Sequence, residues 1–338
     1  MDRPHLTALI LAAGKGTRMK SDLAKVLHEV YFAPMIHHVI AVVQSLLFDD
    51  TIVITGYQCE RVEESLEEFG VLFARQEQQL GTAHAVLSAK NILNKIMGTV
   101  VIICGDTPLI RAGTLEQMLN DHFAASSMLT VLTTRLCDPT NYGRIISDTN
   151  GNVLRIVEQK DATDVEKEIT EINTGIYCVD TSFLMNCLAG VGTDNKQGEF
   201  YLTDIVEIAS ESGHAVNKFV CLDPNEVLGV NSRVELAQAH AVLQARFSKA
   251  LMLSGVTLTI PETVSIAKSV LIGKDTIVHA NTHITGQSSI GKGCLIEPGA
   301  VIKNCHLGIG VTVGAFSYLE GCQLADGEKT DPHTVKIG

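Results

Sequence analysis

Four cations, Lys15, Arg18, Lys20 and Lys25, cluster around and beyond the glycines Gly14 and Gly16, which close a run of six apolar residues from Ala8 to Ala13. An apolar run stopped by glycine reads as a buried parallel strand emptying into a glycine loop. At the carboxyl end of such a strand, bare backbone N–H groups approach a ligand closely, and neighbouring Lys and Arg side chains favour an anionic one. Phosphate fits that description. A tight turn followed by a solvated basic segment accounts for the same residues. The pattern does not separate the two, because no third glycine completes a dinucleotide fingerprint and no GKS or GKT makes a P-loop.

A second candidate is Asp106. The apolar run Thr99 to Cys104 ends at Gly105-Asp106-Thr107-Pro108, which is also ordinary turn chemistry. Open α/β sheets bind ligands at the carboxyl ends of central strands. A carboxylate there, facing the same crevice as the cationic loop, is a reasonable Mg²⁺ ligand.

The elements that must position these groups alternate. A helix runs from Pro34 to about Leu47, a strand over Thr51 to Thr55, a helix near Glu60 to Glu68, a strand at Val71 to Ala74 and a helix from about Thr82 to Ile96. Strand and helix in turn argue for a parallel sheet. Further strands are expected at Met128 to Thr134 and at Ile172 to Tyr177. In the latter, Asn173-Thr174-Gly175 interrupts the apolar run, which marks either a ligand contact or a β-bulge. A helix from Arg233 to about Leu253 carries Val234, Ala237, Ala241, Leu243, Ala245, Phe247, Ala250 and Leu251 as its expected apolar face.

Beyond it the period changes. Ile260, Ile266, Ile272, Val278, Ile284, Ile290, Ile296 and Ile302 recur at a spacing of six, then the spacing slips by one and resumes as Val301, Leu307, Val313 and Leu319. A six-residue period means a parallel β-helix, each hexad contributing one short strand and a turn. At ~18 residues per three-sided coil, the segment 255–338 holds four to five coils. The expected domains are 1–231, a linker helix over 232–254, and the β-helix over 255–338.

The 338 residues suffice for about two cores. Net charge of −12 and a pI near 5.4 argue against nucleic acid or an anionic membrane as partner. An acidic protein that binds polyphosphate then needs a local cationic cluster, a divalent metal, or both. Nine cysteines without a CxxC pair, and an N-terminal apolar run too short for a signal or a membrane span, point to reduced thiols in the cytoplasm. His279 and His283, four apart on a period of six, do not share a face and make no metal pair.

The motifs LAAGKGTRMKSDLAKVLH, QLGTAHAV, GDTPLI, NYGRI, VEQKDAT, EINTGIY and GVNSR resemble, in order, those of the bacterial bifunctional N-acetylglucosamine-1-phosphate uridylyltransferase/glucosamine-1-phosphate acetyltransferase family. The resemblance covers essentially the whole chain. It implies a Rossmann-like α/β nucleotide-sugar transferase domain, then a left-handed parallel β-helix of hexapeptide repeats that forms a homotrimer. It implies UTP and N-acetylglucosamine 1-phosphate as substrates, UDP-N-acetylglucosamine as product and Mg²⁺ as cofactor, for cell-wall precursor synthesis.

Carried over by position, Leu11, Ala12, Ala13 and Gly14 would line the uracil and ribose, with Gln76, Gly81 and Thr82 reading the base and Cys104 and Gly105 beside the nucleotide. Arg18 and Lys25 would hold the triphosphate as the catalytic cations. Asp106 and Asn231 would bind the metal, while Gly143, Glu158 and Asn173 would contact the sugar. A related pyrophosphorylase of other specificity and a non-catalytic nucleotide-sugar sensor are the competing readings.

Three positions depart from the family pattern. Ala24 stands where proline usually precedes the catalytic lysine, which is expected to free the loop. Tyr31-Phe32-Ala33 replaces a glycine-containing segment, and Cys104 a tyrosine. The repeat at Ile337-Gly338 looks cut short, and the family's acetyltransferase site is built from later coils. Incubation with acetyl-CoA and glucosamine 1-phosphate is therefore expected to yield no free CoA, and appreciable turnover would refute this.

Overall fold

The computed structural model describes residues 4–338, in two compact units: 4–29 with 33–235, and 30–32 with 236–338. The first is built on a nine-stranded sheet. Its strands are β1 (His5–Leu11), β4 (Asp50–Thr55), β5 (Leu72–Arg75), β6 (Gly98–Cys104), β7 (Leu129–Arg135), β8 (Arg144–Ser147), β9 (Val153–Val157), β10 (Glu171–Asp180) and β11 (Val216–Val220), while β2 (Glu29–Val30) and β3 (Ala33–Pro34) pair apart from it. Helices α1 (Met35–Ser45), α2 (Cys59–Glu64), α3 (Thr82–Ser88), α4 (Lys90–Leu93), α5 (Ala112–Ala124), α6 (Asp164–Lys167), α7 (Thr181–Leu188) and α8 (Asp204–Glu211) accompany it.

The order β11-β7-β10-β6-β1-β4-β5 places β1, the strand before the glycine loop, between β6 and β4, with both neighbours parallel to it. Ala8, Leu9 and Ile10 have no exposed surface, as expected of a strand covered on both faces. The sheet is mixed, which corrects the wholly parallel expectation: β10 runs antiparallel to both β6 and β7. Alternation of strand and helix predicts parallel neighbours, but β8 and β9 form an antiparallel pair that leads into β10. The register of β10 against β7 shifts between Asn173 and Tyr177, so the polar interruption in that strand is a bulge.

In the second unit three parallel sheets stack coil on coil. Ser265 pairs with His283 and His283 with Val301, eighteen residues apart, whereas Val301 pairs with Tyr318, seventeen apart. The one-residue slip in the hexads is this shortening of the coil. Ile266, Ile284, Ile302 and Leu319 form one buried column of its core. Ile260 departs furthest: it keeps the spacing yet is 48% exposed, and Leu258 fills the core instead, while Ile272 and Val301 are half-buried.

Helix α9 (Arg233–Leu253) buries Ala239, Leu243, Ser248 and Leu251. Ala237, Ala241 and Ala245 of the predicted face are exposed, as is Val234. The eight residues named from the sequence spread around the helix, because residues 237, 241 and 245 lie along a different line from 239 and 243.

Tyr31 and Phe32, with φ of 45° and 67°, form the two-residue turn between β2 and β3. Two positive φ values in such a hairpin usually call for Asn-Gly. The conformation is held because Tyr31 is buried, donates from its hydroxyl to the Ile266 carbonyl at 2.7 Å, and sets its ring against His240 and Phe247. Tyr31→Phe is expected to lower stability by about 1–3 kcal/mol, because a buried carbonyl loses its donor. Urea unfolding checks this, and an unchanged midpoint would contradict it.

Candidate functional site

A cavity of about 350 Å³ opens at the carboxyl ends of β1 and β6, walled by Leu11, Ala12, Ala13, Gly14, Gln76, Gly81, Thr82 and Cys104 and floored by Lys25 and Asp106. Its wall is built from backbone. Ala12 donates to Ile54, Gly105 to Leu11 and Tyr57 to Ala13, all between 2.9 and 3.0 Å, so the loop after β1 is tied to both flanking strands. The two glycines of the loop do different things. Nothing lies within 4 Å of a Cβ placed on Gly14, which leaves that part of the cavity open. A Cβ on Gly16 would stand 2.6 Å from Cβ of Lys25, at a φ of 68°, so Gly16 lets the lysine stem pass.

Lys25 is the centre of the polar floor. Its ammonium donates to Oδ2 of Asp106 and, at 3.0 Å, to Oδ1 of Asn231. Both partners are themselves positioned: Val230 N–H donates to the Asp106 carbonyl at 2.8 Å, and Asn231 N–H to Glu235 Oε2 at 2.6 Å. Two hard oxygens from separate segments therefore converge on one cation. Mg²⁺ takes one or two carboxylates and completes its shell with water and substrate phosphates, so this donor pair fits the ion that the sequence resemblance implies. Among the described residues no group of three or more His, Cys, Asp and Glu is arranged to hold a metal. The remaining ligands would come from substrate and solvent.

Gln76 is nearly buried and shares its amide between the Gly81 carbonyl, at 3.1 Å, and the ring of His84, at 3.0 Å. Thr82 accepts from Leu202 N–H at 2.9 Å. Burial, with the nearby Asp106 charge, pushes the Cys104 thiol up to about 12, so it lines the cavity as an uncharged group.

Gly143, Glu158 and Asn173 do not line that cavity and form a second cluster. Asn173 N–H donates to the Gly143 carbonyl at 2.8 Å, and a Cβ on Gly143 would lie 3.5 Å from Glu158 Oε1. The Asn173 amide is fixed at both ends, accepting from Gly175 N–H and donating to the Tyr177 hydroxyl. Burial raises the Glu158 carboxyl above its ordinary range, opposed by a hydrogen bond from Thr203 and reinforced by Asp161, Asp204 and Glu199. Arg18 is exposed in the short turn Thr17–Met19, away from the cavity wall. Its charge is felt at Tyr142.

Behind the second cluster lies Arg144, fully buried, which donates to the Tyr142 carbonyl and to Gln159 Oε1 at 2.7 Å. It thereby clasps the neighbours of Gly143 and Glu158 on the β8–β9 pair. Arg144→Lys is expected to cost about 2–3 kcal/mol, because an ammonium cannot reproduce the fork of donors. Thermal unfolding of the variant measures it, and a loss below 0.5 kcal/mol, by the same principle, would argue against the clasp.

Ala24 does not leave the loop without a restraint. It is fully buried at φ −53°, and its N–H donates to Gln58 Oε1 at 2.9 Å, a bond that proline cannot make. Gln58, Tyr142, Glu199 and Glu235 carry no sequence signal of their own. Glu235 acts four residues from Asn231, whereas the partner of Gln58 is 34 residues away.

Residues 7–224 match the nucleotidyl transferase family, and residues 269–304 match the bacterial transferase hexapeptide (six repeats). A bifunctional protein GlmU from Desulfotalea psychrophila is 50% identical over 324 residues, covering 96% of both chains. Its namesakes from Geotalea uraniireducens and Pelobacter propionicus are 46% and 45% identical over 95% of this chain, which spans 71% and 70% of theirs. The chain belongs to the GlmU family. The nucleotidyl transferase match takes in the glycine loop, Lys25, Asp106 and the Gly143 cluster, whereas Asn231 lies outside its bounds. In this chain the transferase match precedes the hexapeptide match. Among the described residues no helix is long and apolar enough to cross a membrane.

Proposed function

We propose that this GlmU-family chain is a Mg²⁺-dependent uridylyltransferase of the cytoplasm, making UDP-N-acetylglucosamine and pyrophosphate from UTP and N-acetylglucosamine 1-phosphate. The observation that carries this reading is the convergence of Asp106 and Asn231 on the Lys25 ammonium, where Lys25 and Asp106 floor a cavity walled by the loop after β1.

The sugar phosphate is itself the nucleophile. Its second pKa, near ~6, leaves it largely dianionic at neutral pH, so no general base is required. An oxygen of that phosphate forms a bond to the α-phosphorus of UTP, and the bond from the α-phosphorus to the β-bridging oxygen breaks, releasing pyrophosphate. What the chain supplies is alignment and positive charge. Gly14 leaves room for the nucleotide, Gln76, Gly81 and Thr82 face its base, and the Lys25 ammonium stands where phosphate charge develops. Arg18, outside the cavity wall in its exposed turn, is assigned to the triphosphate by the resemblance alone. Asp106 and Asn231 hold the metal, which neutralises phosphate charge when bound. Gly143, Glu158 and Asn173 form the sugar side, where the buried Glu158 carboxyl and the Asn173 amide, fixed by Gly175 and Tyr177, offer hydrogen-bonding groups to the hydroxyls and acetamido group of the sugar.

Pyrophosphate release, measured across a panel of nucleoside triphosphates and sugar phosphates with and without Mg²⁺, tests the reading. Release confined to UTP with N-acetylglucosamine 1-phosphate and dependent on Mg²⁺ supports it, and no release with any pair refutes it. The hexapeptide unit is proposed to bring three copies together, which a sedimentation mass of one or two chains would exclude.

A further inference from the structure

The loop from Ala13 to Lys25 is held at both ends by one turn, Gly56-Tyr57-Gln58, between β4 and α2. At the start of the loop, Tyr57 N–H donates to the Ala13 carbonyl at 3.0 Å, and the Lys15 ammonium lies 5.2 Å from the centre of the Tyr57 ring. At its end, the Tyr57 hydroxyl donates to the Asp22 carbonyl at 3.1 Å, and Gln58 Nε2 donates to the same carbonyl at 2.8 Å. The other end of the Gln58 amide accepts from Ala24 N–H at 2.9 Å. One carboxamide therefore spans Asp22 to Ala24 with its donor and its acceptor, immediately before Lys25. Gln58 does this from a left-handed backbone, φ 53°, which disfavours a residue other than Gly, Asn or Asp and persists only where surrounding contacts determine it.

Helix capping explains none of this, since the Gln58 side chain makes no cap bond to α2. The side chain turns away from its own helix and toward the loop. We propose that Gln58, supported by Tyr57, is a positioning residue for the transferase reaction: it fixes the backbone at Ala24 and so sets where the Lys25 ammonium stands. This rests on the assignment of Lys25 to phosphate chemistry above.

The geometry at Ala24 supplies the test. Its φ of −53° lies within the range of proline, so a proline there restrains the same torsion covalently without needing the Gln58 acceptor. Gln58→Gly removes the carboxamide while suiting the left-handed backbone, which keeps the fold intact. Removing a group that only aligns another is expected to lower kcat for pyrophosphate release by about tenfold or more, with KM for UTP changed less than threefold. In the Gln58→Gly background, Ala24→Pro is expected to recover most of that loss. Trypsin cleavage after Lys20 and Lys25 gives a readout independent of turnover, faster in Gln58→Gly and slowed again in the double variant.

Gln58→Gly with unchanged kcat and unchanged cleavage overturns the proposal, as does a loss of kcat that Ala24→Pro leaves in place while thermal unfolding is unaltered. Lys25→Ala separates the two levels. If Lys25→Ala turns over like the unaltered chain, the assignment of Lys25 fails. If Lys25→Ala is inactive and Gln58→Gly is not impaired, only the brace fails.

Discussion

Asp106→Asn is expected to lower kcat/KM for pyrophosphate release by about 10³-fold or more, which is roughly 4 kcal/mol of lost transition-state stabilisation. Asparagine has nearly the shape of aspartate and still offers an oxygen to Lys25, so the hydrogen bond from that ammonium survives in weaker, uncharged form. The Asp106 carbonyl, which accepts from Val230 N–H, is untouched. What disappears is the negative charge, and with it the one carboxylate that, among the described residues, the structure places on the Lys25 ammonium. Unfolding midpoints should therefore stay close to those of the unaltered chain while turnover collapses. Titration with Mg²⁺ adds a second arm: raising its concentration should restore part of the rate if Asp106 holds the ion. Activity of the variant within tenfold of the unaltered chain would remove Asp106 from the metal site.

Gly81→Ala should be the most damaging single-methyl addition at the cavity wall. Gly81 has φ 120° and ψ 175°, a conformation open essentially to glycine alone. A Cβ there would lie 2.4 Å from the carbonyl oxygen of Phe200 and 2.7 Å from its nitrogen. Those atoms cannot step aside cheaply, because Phe200 N–H donates to Leu80 and its carbonyl accepts from Ala83 N–H, each at 2.9 Å. Backbone strain and two compromised hydrogen bonds together predict a loss of about 3–5 kcal/mol. The Gly81 carbonyl also anchors Gln76 Nε2, so a surviving fraction of folded protein should show a raised KM for UTP. Gly14→Ala is the internal comparison. With nothing within 4 Å and no positive φ, it should leave the urea midpoint in place and raise KM alone. Equal stability losses at the two positions would contradict the contrast.

The chain shows where sequence reasoning reaches and where it stops. Apolar runs closed by glycine located β1 and β6, and the hexads located the coils of the second unit, because burial on two faces and a repeat of six are properties of contiguous residues. The slip of one residue in the hexads was legible for the same reason, and it is the change from eighteen-residue to seventeen-residue coils. Ile260 kept the period without the burial, since the first coil is longer, Leu258 pairing with Val278 twenty residues on where Val278 pairs with Ile296 eighteen on, so that Leu258 takes the inward position.

Pairing direction was not legible in this way. Whether β10 runs with or against β6 depends on the path of the chain through β8 and β9, and no local pattern encodes that path. The face of α9 was misread because alanines supply apolar character around much of the helix, so composition did not single out the line that is buried. Most of all, the polar contacts around Lys25 are tertiary. Asp106 and Asn231 stand 81 and 206 residues from it in the chain, and Gln58 is 34 residues from the alanine that it holds. A single hydrogen-bonding side chain has no period and leaves no trace in composition. The sequence by itself determined which segments are strands, loops and coils, through hydrophobic burial. Only the tertiary structure decided which cation meets which oxygen, because directional bonds need partners that the fold alone brings within 3 Å.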